Sequence, residues 1–195
     1  MKRVGLVAMG ASWGGLRAVE TVLGALPAGF AAPVVIAQHR RYDTPDGVLV
    51  RMLGARCALT VREAEDKQSL DPGVVLVAPA DYHLLVEIGT VALSVDAPIN
   101  HSRPSIDILF GSAADAYGER VAGVVLTGAN ADGALGLAQI AGRGGTAIVQ
   151  DPETAERREM PDAALRATPQ ARVLTLTQIG AALTALCGTR AGSAM

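Results

Sequence analysis

Val4-Gly5-Leu6-Val7-Ala8-Met9-Gly10-Ala11-Ser12-Trp13-Gly14-Gly15 carries the chain from an apolar run into a glycine-flanked serine, and from Gly15 onward the apolar residues recur at helical spacing. Residues 4–9 therefore predict a buried strand and residues 15–26 an amphipathic helix, joined by a sharp strand-to-helix turn. Working outward, residues 33–38 predict a second strand and 45–53 a second helix, which is the βαβ rhythm of a parallel sheet. Composition agrees. Half the residues are hydrophobic but only 3% are aromatic, so Val, Leu, Ile and Ala must fill the core, as they do in strands covered on both faces.

The middle departs from this rhythm. Residues 58–62, 74–77, 83–88 and 91–95 read as strands separated only by turns such as Asp71-Pro72-Gly73 and Gly89-Thr90, and the last pair predicts a two-residue hairpin. Alternation resumes with a helix over 105–117 capped by Ser105, a strand over 121–127, a helix over 134–141 and a strand over 146–150. A short helix from Pro161 to residue 166, a strand over 173–176 and a helix over 178–186 complete the pattern. The expected fold is α/β, a doubly wound, mainly parallel sheet flanked by helices and carrying an antiparallel hairpin. At 195 residues the chain suits a single domain over 1–195, with residues 188–195 expected to fray.

Charge and cysteine usage exclude several classes. With 17 basic and 19 acidic residues, net charge −2 and no basic cluster, there is no electrostatic footprint for nucleic acid. Cys57 and Cys187 lie far apart and outside any C-x-x-C pattern, so neither zinc nor a redox pair is expected, and a reducing cytoplasmic setting fits. Lys2-Arg3 before an apolar run has the form of a short signal peptide, but the helical pattern that follows at once favours a buried first strand. No stretch approaches the ~18 apolar residues of a membrane span.

Three reactive side chains fall where an open α/β sheet binds ligands, just beyond strand carboxyl ends. Ser12 satisfies G-x-S-x-G. The turn also suits a phosphate, yet G-x-G-x-x-G fails because Ser12 holds the second glycine position, and Leu16-Arg17 breaks the phosphate-loop pattern. A plain helix cap is the competing reading of Ser12. His39 ends the adjacent run Val34-Val35-Ile36-Ala37-Gln38 and supplies a base, whereas His83 and His101 read as structural. With no histidine beyond position 101, the order must be serine, histidine, acid. Asp132, in Gly128-Ala129-Asn130-Ala131-Asp132-Gly133 after the strand over 121–127, supplies the acid, again against the reading of a cap. Such a carboxylate would hold the imidazole in the tautomer that accepts the serine proton, and N–H groups of the two glycine-rich loops would bind an oxyanion.

These residues lie in a set of ordered motifs. Gly10-Ala11-Ser12-Trp13-Gly14-Gly15, the His39 strand end, Val77-Ala78-Pro79-Ala80-Asp81-Tyr82-His83-Leu84-Leu85-Val86, Arg103-Pro104-Ser105-Ile106-Asp107-Ile108-Leu109-Phe110, Leu126-Thr127-Gly128-Ala129-Asn130-Ala131-Asp132-Gly133-Ala134 and Met160-Pro161-Asp162-Ala163-Ala164 together resemble the catalytic domain of chemotaxis protein-glutamate methylesterases over residues 4–176. The resemblance implies a Ser12-His39-Asp132 triad, an acyl-enzyme, no cofactor or metal, and hydrolysis of glutamate γ-methyl esters, with glutamine deamidation in some members, on the cytoplasmic helices of chemoreceptors. It implies backbone donors at Trp13 and Ala129 for the oxyanion. Departures from the family pattern are Trp13 for a small polar residue, Ala129-Asn130 for Met-Gly, and Arg158-Glu159 before Met160-Pro161. They alter the site's rim and raise a second expectation, an interaction module that keeps the fold without turnover. The chain starts on the catalytic strand, so control through a receiver domain in the same chain is not expected.

Overall fold

A computed structural model describes residues 3–40, 47–99 and 101–190. Among them the apolar runs form strands β1 (Leu6–Ala11), β2 (Val34–Gln38), β3 (Thr60–Glu63), β4 (Val74–Val77), β5 (His83–Val86), β6 (Val91–Ser94), β7 (Val121–Val125), β8 (Thr146–Gln150) and β9 (Arg172–Leu174). The amphipathic stretches form helices α1 (Gly15–Gly24), α2 (Val48–Gly54), α3 (Ile106–Tyr117), α4 (Ala134–Gly142), α5 (Glu159–Ala167) and α6 (Leu176–Cys187). Residues 45 and 46, expected to open the second helix, lie outside the described residues.

Seven strands make one parallel sheet in the order β3-β4-β2-β1-β7-β8-β9, and β5 with β6 makes a separate antiparallel hairpin. This is the expected fold class. Side chains alternate across a strand, and here both sides are buried. Val7, Met9 and Ala11 of β1 enter a core with Val19, Leu53 and Leu183 of α1, α2 and α6, while Leu6 and Ala8 enter a second core with Leu109, Ile140 and Ala164 of α3, α4 and α5. Each fully buried Val or Leu contributes about 1.5–3 kcal/mol, which is why the central strands tolerate no polar alternation.

Three local outcomes add to or correct the sequence reading. β1 runs on to Ala11, two residues past its expected end, so Ser12 leaves the sheet with no spacer. β3 and β4 pair in parallel without an intervening helix; their connecting loop is stitched to the hairpin instead, through Lys67 N–H to Val91 O (2.8 Å) and Leu70 N–H to Gly89 O (2.9 Å). Where a loose end is expected from Gly188, Arg190 N–H donates to Gly29 O at 2.7 Å and Thr189 bridges Phe30. Residues 191–195 lie outside the described residues.

The topology gathers the site. The chain winds from β1 to β2 on one side and later adds β7 on the other, so the loops after β2, β1 and β7 are neighbours at the carboxyl edge, the switch point of a doubly wound sheet. Hydrogen bonds continue the ladder past the strand ends. His39 N–H donates to Ala11 O (2.9 Å) and Ser12 N–H to Thr127 O (3.0 Å).

Candidate active site

Ser12 sits at a turn that only small residues allow. Gly14 caps α1 with φ of 74°, a left-handed conformation that favours glycine. The cap is therefore backbone geometry, and the Ser12 side chain does not cap α1. A Cβ on Gly15 would lie 2.2 Å from Gln38 Oε1. The space it leaves admits the Gln38 amide, whose Nε2 donates to Ser12 O at 2.8 Å and to His39 O at 3.0 Å. Gln38 thus ties the serine loop to the histidine loop. Its own Oε1 is buried and meets no hydrogen-bond partner among the described residues.

His39 Nε2 lies 2.7 Å from Asp132 Oδ2, with the imidazole 12% exposed and the carboxylate fully covered. Asp132 also accepts the backbone N–H of Ile106 (2.7 Å) and Asp107 (3.0 Å) and the Ser105 hydroxyl (2.9 Å). The sequence reading set a cap of the helix that follows Asp132 against its role as the acid. In fact α4 is capped by Gly133, and Asp132 instead occupies the amino end of α3, where free N–H groups and the helix dipole favour an anion. Burial pushes this carboxyl up, but the His39 hydrogen bond and the Ile106 and Asp107 N–H groups outweigh it and hold the pKa below its ordinary value of 3.8. Asp132 is therefore ionised. With the carboxylate as acceptor, Nε2 of His39 carries the proton and Nδ1 faces away, 3.3 Å from the Asn130 amide nitrogen.

The arrangement is reciprocal. Asp107, in the first turn of α3, accepts Gly136 N–H of α4 at 2.7 Å. Gly10 lets the amino end of α3 seat against β1, since a Cβ there would fall 2.2 Å from Ile106 Cγ2. Burial pushes the Asp107 carboxyl up; the Gly136 N–H opposes this and the charge of Asp132 adds to it. Beneath the pair, His83 is fully buried, accepts Ser105 N–H at Nδ1 (3.1 Å) and lies 3.2 Å from Ala97 O at Nε2. It is structural, as the sequence suggested, but it supports the residue that supports Asp132.

Ser12, Trp13, His39, Arg103, Pro98 and Ala129 are among the residues lining a cavity of about 570 Å³. His101 lines it too, on a loop fastened by Arg103, which donates to Asp81 Oδ1 (2.7 and 3.0 Å) and to Val95 O (2.8 Å). Among the described residues the N–H groups of Trp13 and Ala129 meet no protein acceptor. No group of His, Cys, Asp or Glu among them is arranged to hold a metal ion, and no helix is long and apolar enough to cross a membrane. Sequence reasoning placed Ser12, His39 and Asp132 at strand ends and missed Gln38, Ser105, Asn130 and the link to His83. Only the motif Arg103-Pro104-Ser105-Ile106-Asp107 hinted at the Ser105 contact, and nothing in it points to residue 132.

Comparison with known proteins agrees with this fold. The family model for CheB methylesterase matches residues 7–183. The chain belongs to the CheB methylesterase family. A Leptospira interrogans protein, named as a candidate protein-glutamate methylesterase/protein-glutamine glutaminase, is 45% identical over 89% of this chain and 90% of its own length. The protein-glutamate methylesterase FrzG of Myxococcus xanthus is 41% identical over 91% of the chain, which spans 53% of that longer relative. The crystal structure of the Thermotoga maritima CheB methylesterase catalytic domain superposes with a TM-score of 0.86 at 34% identity, covering 95% of this chain and 100% of that one.

Proposed function

We propose that this CheB-family chain is a cytoplasmic serine hydrolase that cleaves glutamate γ-methyl esters on chemoreceptors and deamidates glutamine at equivalent positions, through Ser12, His39 and Asp132. The observation that carries the reading is the 2.7 Å contact between His39 and a helix-bound, ionised Asp132 on loops adjoining that of Ser12, with Ser12 and His39 opening on one cavity. The names of the relatives support the substrate.

In this mechanism Nδ1 of His39 takes the Ser12 proton as Oγ attacks the ester carbonyl. Asp132 steadies the imidazolium, and the Trp13 and Ala129 N–H groups take the oxyanion; removing one such donor costs on the order of 3 kcal/mol in comparable sites. The C–O bond to methanol then breaks, methanol leaving with the proton from His39. Water, deprotonated by His39, attacks the resulting Ser12 acyl-enzyme and releases glutamate carboxylate. With glutamine the leaving group is ammonia. Incubation with methyl-labelled receptor should release labelled methanol, and Ser12→Ala should abolish it; full release by the variant removes Ser12 from its role.

One observation favours a second reading, an interaction module without turnover. The Asn130 amide occupies Nδ1 of His39, the atom that must accept the serine proton. A fluorophosphonate probe that leaves Ser12 unlabelled while receptor binding persists supports the module, and stoichiometric labelling of Ser12 excludes it.

A further inference from the structure

Trp13 directly follows Ser12, lines the cavity and is 59% exposed. An indole of this size ordinarily gains by burial. This one is instead held open. Its Nε1–H donates to Glu156 Oε1 at 2.9 Å, and the Arg157 guanidinium lies over the ring, 5.5 Å from its centre. The backbone beneath is pinned as well, since Thr127 Oγ1 donates to Trp13 O (3.0 Å) and accepts Arg157 N–H (2.9 Å). Two loops thus converge to immobilise one apolar surface beside the nucleophile. A ring fixed in this manner loses little further freedom when something packs on it, which is the property of a recognition surface. The cavity also exceeds what one esterified side chain requires, because roughly 300–1,000 Å³ accommodates a drug-sized ligand. Residues flanking the ester must share the space.

We infer that Trp13, clasped by Glu156 and Arg157, is a specificity-determining wall that packs against an apolar side chain adjoining the glutamate ester in a protein substrate. The inference rests on the esterase reading. It assigns the clasp a role in selection and none in bond cleavage, because neither Glu156 nor Arg157 lines the cavity with Ser12.

The chain has a single tryptophan, so tryptophan emission excited beyond the tyrosine absorption band reports on this wall alone. The probes are two synthetic peptides, each with one glutamate γ-methyl ester, flanked on both sides by leucine in one and by serine in the other. Added to the Ser12→Ala protein, the leucine peptide should shift the emission to the blue with saturation and bind roughly tenfold or more tightly than the serine peptide. In the protein with Ser12 intact, Trp13→Ala should abolish discrimination between the peptides in kcat/KM, with KM for the leucine peptide raised by a similar factor. Trp13→Phe, which keeps an apolar ring, should keep most of the discrimination. Unchanged emission at a saturating concentration of the leucine peptide, or a preference for the leucine peptide that survives in Trp13→Ala, overturns the inference. Failure of the intact protein to hydrolyse either peptide defeats the esterase reading instead, while the emission shift still tests the wall.

Discussion

The two halves of the site are built by opposite means. On the acid side, Asp132 is buried and takes four hydrogen bonds, from His39, Ser105, Ile106 and Asp107, with His83 locked below. On the nucleophile side, Trp13 stands in solvent beside Ser12, held by one side-chain hydrogen bond and one cation–π contact. The difference teaches where each kind of interaction is useful. Charge stabilisation needs fixed dipoles in a dry setting and gains from every added donor. Recognition of a variable partner needs accessible surface, and exposed contacts cost the fold little when changed.

The sharpest way to break this contrast is Asp132→Asn. The amide cannot hold His39 in the required tautomer, so methanol release should fall by on the order of 10³- to 10⁴-fold, and a loss under tenfold would show that the acid side is not what drives turnover. Gly15→Ala comes next. The new Cβ collides with Gln38, so denaturant titration should show about 1–3 kcal/mol of lost stability, together with reduced activity as Gln38 releases Ser12 and His39. Ser105→Ala removes one donor to Asp132 and the cap of α3. It should cost about 1 kcal/mol. Denaturant titration checks this loss, and an unchanged midpoint would separate Ser105 from the cap of α3.

Acid stability sharpens the same comparison. The folded pKa of Asp132 lies below its ordinary 3.8, so its contribution is fully present above that value and is lost as pH falls through the depressed folded one. Asp107 is raised and works in the opposite sense, its contribution fading as pH rises through its folded value. Denaturant titrations below pH 5 should therefore show stability falling in the intact chain and a shallower fall in Asp132→Asn. Equal slopes would contradict the direction assigned to Asp132. The smallest effect is expected from Arg157→Ala on the nucleophile side. Its melting temperature should match that of the unaltered chain, and a marked drop in thermal scanning would mean that the clasp is structural.

How much of this was legible in the chain follows from the range of each interaction. Alternating and helical periodicities are local, so the βαβ order, the hairpin and the strand-end positions of Ser12, His39 and Asp132 could be read directly; a buried parallel strand has to be apolar and its chemistry has to begin where it ends. The glycine-flanked serine turn was readable for the same reason, because its backbone conformation is set within a few residues. The partners of Asp132 were not. A carboxylate that caps a helix starting 26 residues earlier leaves no spacing to recognise, and a buried histidine that braces that cap looks like any core histidine. Likewise Gln38 reads as a strand residue and Glu156-Arg157 as a surface loop until folding brings them to Ser12 and Trp13. By itself the sequence determined the fold class and which side chains stand at the carboxyl edge of the sheet, since burial and turn geometry act over short stretches of chain. Tertiary structure decided which helix end charges the acid, which nitrogen of His39 faces it and which surface flanks the serine, because those depend on directional contacts between segments that share no sequence neighbourhood.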